Sequence, residues 1–458
     1  MTNETFRDRI STVNEEGNRV RIYPRKPKGV FYNYRIITSI ILIALLIGLP
    51  FISINGRPFF LFDILQRRFY LFGVGFWPQD FHIFLLIMIS LLLFIILFTV
   101  VFGRLWCGWA CPQTVFMEMV ARKIEYWIEG DVQQQKKLNE QSWNIEKLGK
   151  KLLKHSLFIF LAWFITNILL AWVIGPNALF MIMTEPIAEH TGGFVAMLSF
   201  TGFLYWVFAS FREQICTLVC PYGRLQSVLV HDKTIAVHYD FVRGEPRHKK
   251  PVEGGDCIDC HQCVHVCPTG IDIRNGTQLE CINCTACMDA CDTVMTKVKK
   301  PKGLIKYASF HGIKNGEENI LNARTIGYSF VLLILLSIAT FFIGTRNPIE
   351  ATVLRTPGST FLKTKDDHIS NLFNAQFVNK TFDLIEPEIL LASPKEGEIQ
   401  FVTPTLNVEP EALLQTAFFV HLPENFPQST VTPVQFDILV DGEIIQKVRS
   451  SFISPGKQ

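Results

Sequence analysis

The sequence predicts a multi-domain membrane protein. It would have an α-helical transmembrane bundle of about five spans, a cysteine-rich module on the cytoplasmic side, and a C-terminal β-sandwich. Three observations carry this. The 458-residue chain is 49% hydrophobic with 39 Phe, and that excess is concentrated in long uncharged stretches. Eight of its 12 cysteines lie between 257 and 291. Beyond residue 344 the composition turns abruptly to short alternating runs, with no Cys or Trp but ten of the 23 prolines.

The spans come first. About 20 helical residues at about 1.5 Å each cross the hydrocarbon. Ile36–Ile54, Ile83–Gly103, Leu157–Gly175, Gly193–Phe211 and Gly327–Gly344 are uncharged and of that length. Ala178–Thr184 is too short to span; a re-entrant or interfacial segment is one reading of it and a turn is the simpler one. Orientation follows from flanking basic residues. Arg7, Arg9, Arg19, Arg21, Arg25, Lys26, Lys28 and Arg35 precede the first span, and nine Lys or Arg lie between spans two and three. The loop after span one has only Arg57, Arg67 and Arg68, and the loop after span three has none. The N-terminus is therefore expected inside the cell and the C-terminus outside. The first span lacks a small-residue cleavage site and reads as a retained anchor. Gln133–Lys154 reads as a solvated helix. A net charge of +3 gives no reason to invoke nucleic acid.

The cysteine spacing identifies the inner module. Cys257-x2-Cys260-x2-Cys263-x3-Cys267-Pro268 is followed by Cys281-x2-Cys284-x2-Cys287-x3-Cys291. Bacterial ferredoxins hold two [4Fe–4S] cubes with such runs, the fourth cysteine of each serving the other cube. The expected sets are Cys257, Cys260, Cys263 and Cys291 for one cluster, and Cys281, Cys284, Cys287 and Cys267 for the other. Zinc sites favour two separated pairs, and disulfides need no such fixed register. A reducing compartment suits free thiols, in agreement with the charge-based topology. The module thus moves single electrons.

The remaining cysteines form two turns of one design. Cys107-Gly-Trp-Ala-Cys111-Pro112 ends span two, and Cys216-Thr-Leu-Val-Cys220-Pro221 ends span four. Arg104 and Arg212 precede them, and amphipathic segments Val115–Ile128 and Leu225–Val230 follow. The residue before proline avoids the α region, so the second cysteine should end the span and proline should open the next helix. Brought together, the turns offer four thiols, enough for a metal, a further cluster or a redox disulfide. Buried cysteines with no such role are the plain alternative.

Histidines help by exclusion. His82, His155 and His190 lie at span edges, and none sits mid-span to ligate a membrane haem. His261 and His265 inside the first run read as solvated neighbours or as tuners of the cluster. Met181, Met183 and His190 have the soft-ligand character of a Cu(I) site, though packing explains the methionines as well. In 345–458, Ala417–Leu422, Val434–Val440 and Glu443–Val448 alternate as strands, and Thr381–Leu391 and Ile399–Val408 suggest more. Asp441-Gly442 is a two-residue hairpin signal. The whole fits an immunoglobulin-like sandwich without a disulfide, read as a docking or structural module.

A basic N-terminus, spans bearing two CxxxCP turns, a two-cluster ferredoxin insertion and a terminal sandwich together resemble the CcoG/FixG/RdxA family. These are accessory proteins of bacterial cbb-type cytochrome c oxidase. The resemblance covers roughly residues 20 to 455. It implies an inner-membrane protein that assists oxidase assembly by reducing Cu(II) to Cu(I), with the oxidase or its copper-delivery proteins as partners and an unknown electron donor. Carried over by position, the eight ferredoxin cysteines are cluster ligands, and Cys107, Cys111, Cys216 and Cys220 are the redox or copper-handling residues. Asp292 stands where a proline is usual after the second run, and its charge should lower that cluster's potential.

The expected organisation is a cytoplasmic segment 1–35, four spans with the first CxxxCP turn in 36–211, and a cytoplasmic segment with the second turn and the ferredoxin domain in 212–326. The fifth span, 327–344, leads to a periplasmic sandwich, 345–458. Two other readings stand beside cupric reduction. One is a quinol dehydrogenase feeding a periplasmic reductase, a class that also combines CxxxCP turns with ferredoxin-like clusters but lacks this sandwich. The other is a non-catalytic assembly scaffold.

Overall fold

The computed structural model describes Glu16 and residues 18–455, apart from 55–56, 65–67, 77–79, 249–253, 277, 317–320, 346, 348, 359, 365–367, 382, 403–405, 411 and 425–428. The chain divides into two compact units, Met1–Ala339 and Thr340–Gln458.

Among the described residues of the whole chain, five helices are long and apolar enough to cross a membrane. They are Val30–Phe51, Phe81–Phe102, Ile145–Ile174, Thr191–Phe211 and Ala323–Gly344. All begin earlier than hydropathy suggests, the first and third by the most. The first takes in Arg35, which is only 4% exposed because its Nε donates to the Gly108 carbonyl at 3.1 Å. The third starts at Ile145, where the Asn144 side chain accepts from the Lys147 amide, and carries four lysines in its first turns. Gln133–Lys154 is therefore not one helix. A capping box on Asp131 and Gln134 starts Val132–Glu140, and residues 141–144 break the chain before the span. Ala178–Thr184 is not a turn either. It belongs to helix Pro176–Thr184, opened by Pro176 after Gly175 at φ 82°. The segment after the first span holds a three-stranded antiparallel sheet, Phe60–Asp63, Arg68–Leu71 and Val74–Phe76, which hydropathy did not signal.

Thr191–Trp206 packs on Ile145–Ile174, and Phe158, Ala162, Ile165, Val207 and Phe208 bury with Phe116 and Ala121 from the segment after Cys111. The cysteine-rich module is framed by an antiparallel pair, Ala236–Tyr239 with Ile305–Ala308. The N-terminal strap ties this module to the helices. The Arg25 amide donates to the His265 carbonyl at 2.8 Å, and Tyr126 donates its hydroxyl to the Pro24 carbonyl at 2.9 Å. The first helix is capped from outside by Asp289, which accepts from the Phe31 and Tyr32 amides at 3.2 and 2.8 Å. An acidic cap there satisfies orphan N–H groups and suits the helix dipole.

The second unit is a β-sandwich. One sheet runs Glu398–Phe401, Leu413–Pro423, His368–Asn379, Ile349–Arg355, with Leu362–Lys363 added to His368–Asn379. The other runs Glu388–Ser393, Val431–Val440, Glu443–Ile453. Asp441 at φ 51° and Gly442 at φ 80° make the expected tight hairpin. Phe373, Phe418 and Phe436 are fully buried, with ring centroids 5.4 to 5.8 Å apart. At roughly 1.5–3 kcal/mol each, such rings dominate the core. The expected strands at Thr381–Leu391 and Ile399–Val408 shrink to Glu388–Ser393 and Glu398–Phe401, joined by an isolated Ile385–Val408 bridge.

Candidate metal centres

Each ferredoxin run folds as a loop that turns on two left-handed residues at the same positions. Asp259 and His261 have φ of 50° and 55° in the first run, and Asn283 and Thr285 have 53° and 63° in the second. Non-glycine residues take that region rarely, and here it curls the loop so that its thiols converge. A helix then follows each loop, Gln262–His265 and Ala286–Lys297.

The thiols line two cavities. One is bordered by Cys257, Cys260, Cys263 and Cys291, with Met295, Leu304 and Ile305. The other is bordered by Cys267, Cys281, Cys284 and Cys287, with Val237, Ile271 and Ile273, and Cys263 stands in the wall between them. The last cysteine of each run thus faces the other run's cavity. Burial pushes the Cys263, Cys281 and Cys291 thiols up to about 12. Four thiolates can gather in such apolar walls only around a positively charged core.

A single zinc ion would need sulfurs about 3.8 Å apart, from Zn–S near 2.3 Å. Among the described residues, the one group of three His, Cys, Asp or Glu ligand atoms mutually within 4.8 Å is Glu185, Glu189 and His190, and it contains no cysteine. An iron–sulfur cube, whose four thiolates bind four separate irons, does not need sulfurs that close. His190, offered with Met181 and Met183 as a copper site, is paired with Glu185. His261 sits beside Arg274 and Asp259. Asp292 accepts from the Gly303 amide at 2.8 Å, so its charge is partly spent on a turn.

The two CxxxCP turns meet at one place. Each span stops before its first cysteine, not at the second, because Gly103 and Arg212 turn the chain with φ of 54° and 49°. Cys111 and Cys220 then sit extended before proline, with ψ of 123° and 114°, and cap the helices that open at Pro112 and Pro221. Arg104 donates to the Gly223 and Leu279 carbonyls, joining the second repeat and the second ferredoxin run. Both amide atoms of Gln226, which is fully buried, lie 3.5 Å from the Cys107 sulfur. Burial first, and then the neighbouring thiols Cys111 and Cys220, raise Cys107 to about 11 and Cys216 to about 12. All four cysteines are free thiols.

This four-thiol site abuts the second cavity. Cys107 packs with Val266, Ile282, Cys284 and Ala286. A Cβ on Gly108 would collide with the Ile282 carbonyl, so only glycine permits the approach. Trp109 Nε1 donates to the Tyr307 hydroxyl at 3.0 Å, which donates to the Asn283 carbonyl at 3.3 Å.

Sequence reasoning missed what braces the turns. Glu125, after the first turn, pairs with Arg212, before the second, and with Lys154, at 3.6 Å. Arg122 reaches Glu118 at 2.8 Å, and Lys154 reaches Glu129 at 2.7 Å. Glu125, Arg122, Arg212 and Lys154 are all 2 to 3% exposed. Burial opposes ionisation of Glu125, but the Arg212 charge and hydrogen bond, with Lys154 and Arg122, hold its carboxyl at about 2. The i, i+4, i+7, i+11 spacing of Glu118, Arg122, Glu125 and Glu129 was the available signal, hidden because the segment read only as amphipathic.

Comparison with known proteins places the chain. Residues 211–254 and 246–310 match the 4Fe-4S dicluster domain family, 84–131 match a 4Fe-4S binding domain, and 339–455 match the immunoglobulin-like fold at the C-terminal end of FixG. Protein RdxB of Cereibacter sphaeroides is 38% identical over 73% of this chain and 72% of its own length. Protein RdxA of the same organism is 42% identical, covering 63% of this chain and 62% of its own length. The nitrogen fixation protein FixG of Rhizobium meliloti is 30% identical over 89% of this chain and 87% of its own. The chain belongs to the FixG/RdxA family. As a member, it is a multi-pass membrane iron–sulfur protein with two [4Fe–4S] clusters and an immunoglobulin-like C-terminal unit. Its work is electron transfer.

Proposed function

We propose that this FixG/RdxA protein reduces Cu(II) to Cu(I) at the inner membrane edge, in support of cbb-type oxidase assembly. The observation that carries the reading is the meeting of the two distant CxxxCP turns, joined by Arg104 to Gly223 and Gln226 to Cys107, with Cys107 packed against Ile282 and Cys284 at the wall of the second cysteine-lined cavity. Cys257, Cys260, Cys263 and Cys291 would hold one cluster, and Cys281, Cys284, Cys287 and Cys267 the other. When bound, these clusters supply one-electron storage at low potential.

The chain's own residues set direction and access. Cys260 is exposed, so the first cavity faces solvent and a reduced donor, either a soluble carrier or a membrane quinol. The second cavity faces the helices, with Cys284 buried against Cys107. At Cys107, Cys111, Cys216 and Cys220 the substrate gains one electron, Cu(II) + e⁻ → Cu(I), so a two-electron donor serves two copper ions. Soft sulfur surroundings favour the Cu(I) product. Arg35, Asp289 and the N-terminal strap keep the module fixed on the helices.

The test uses full-length protein in detergent, reduced anaerobically and freed of reductant. Added Cu(II) should appear as Cu(I) trapped by a chelator, and the quadruple C107S/C111S/C216S/C220S variant should yield none. Full Cu(I) formation by that variant would exclude the site.

A further inference from the structure

The two matched ferredoxin runs account for eight cysteines, and the four at the membrane edge remain. We propose that Cys107, Cys111, Cys216 and Cys220 together hold a third iron–sulfur cube, each CxxxCP turn giving half of the ligand set.

The geometry argues for a cube over a single ion. The four thiols come from two turns locked together by Arg104 bridging to Gly223, and each bears on the others electrostatically. Yet no three of them, among the described residues, lie mutually within 4.8 Å. A lone copper or zinc held by three or four thiolates draws its sulfurs to about 3.8 Å. The eight ferredoxin cysteines, whose sulfurs border two cavities, likewise give no trio that close.

The surroundings supply what such a cluster's ligands need. Gln226 is fully buried, and its Nε2 donates to the Cys107 sulfur, the kind of hydrogen bond that tunes cluster potentials. The Arg104 guanidinium, 8% exposed, offsets part of the negative charge of a thiolate at Cys107. Residues 84–131 match a 4Fe-4S binding domain but contain only Cys107 and Cys111, half of a ligand set. The second turn completes it.

This proposal does not rest on copper being the substrate; with the four thiols held by a cube, copper would take its electron beside that cube and not on the thiols themselves. Its test is iron and acid-labile sulfide per chain in anaerobically purified full-length protein, with Mössbauer spectra of the same sample. About 12 iron and about 12 sulfide, against about 8 for two cubes, are expected. The C107S/C111S and C216S/C220S variants should each fall to about two thirds of the wild-type iron while keeping the ferredoxin spectra. Wild-type protein with about 8 iron overturns the proposal, whatever its copper chemistry, as does equal iron in wild type and variants. One copper or zinc bound at these thiols beside about 8 iron also overturns it. Loss of copper reduction with about 12 iron present would instead sink only the cupric function.

Discussion

The ferredoxin runs and the CxxxCP turns both gather cysteines, but they are built in opposite ways. The runs are local. Eight thiols sit on two short loops, each curled by a pair of left-handed residues and stapled to one helix. The turns are assembled at long range. Their thiols meet only because Arg104, Arg35 and the Glu125–Arg212 pair hold distant elements together. A site of the first kind depends on its loop, and one of the second kind on the whole bundle.

Disabling the local site should have the largest effect. C281S/C287S removes two thiols from the second cavity and should lower iron by about one cluster and take copper reduction to background, as metal analysis and Cu(I) trapping would report. Breaking the long-range brace comes next. E125Q leaves Arg212 buried without its carboxylate, while Lys154 keeps Glu129, at a cost of about 3–5 kcal/mol. Thermal unfolding of the membrane unit should shift strongly, while iron in the ferredoxin module is retained. Equal loss of ferredoxin iron would show that the two sites are not separately built.

Gly108→Ala sharpens the comparison at the junction. The added methyl meets the Ile282 carbonyl, so the cost is about 1–3 kcal/mol, with slowed copper reduction at unchanged ferredoxin iron. The smallest effect is the acid dependence of the brace. A carboxyl lowered from 4.5 to about 2 contributes stability that is complete above pH 4.5 and fades as pH falls towards 2. Melting followed across that window should therefore decline for wild type more steeply than for E125Q.

The difference in construction also explains what was legible in the sequence. Local features read well. The cysteine runs, the Asp441-Gly442 hairpin and the five apolar helices all follow from short-range spacing. Features set by tertiary pairing did not. Arg35 and Lys154 looked like solvent-facing flanks, yet both are buried by partners far away in sequence. Strand His368–Asn379 was hidden by its polar residues, because Asn371 and Asn379 are buried and bond backbone carbonyls at 2.8 Å. The helix Pro176–Thr184 was too short to announce itself. No pattern in a single sequence could say that the two CxxxCP turns touch.

The most direct test of the account follows the electrons themselves. Reduced full-length protein is mixed rapidly with Cu(II), and iron–sulfur absorbance and Cu(I) are recorded together. The account predicts one Cu(I) for each electron leaving the clusters in wild type, and clusters that stay reduced in the C216S/C220S variant. Clusters that reoxidise equally fast in that variant, with the same Cu(I) yield, would contradict it.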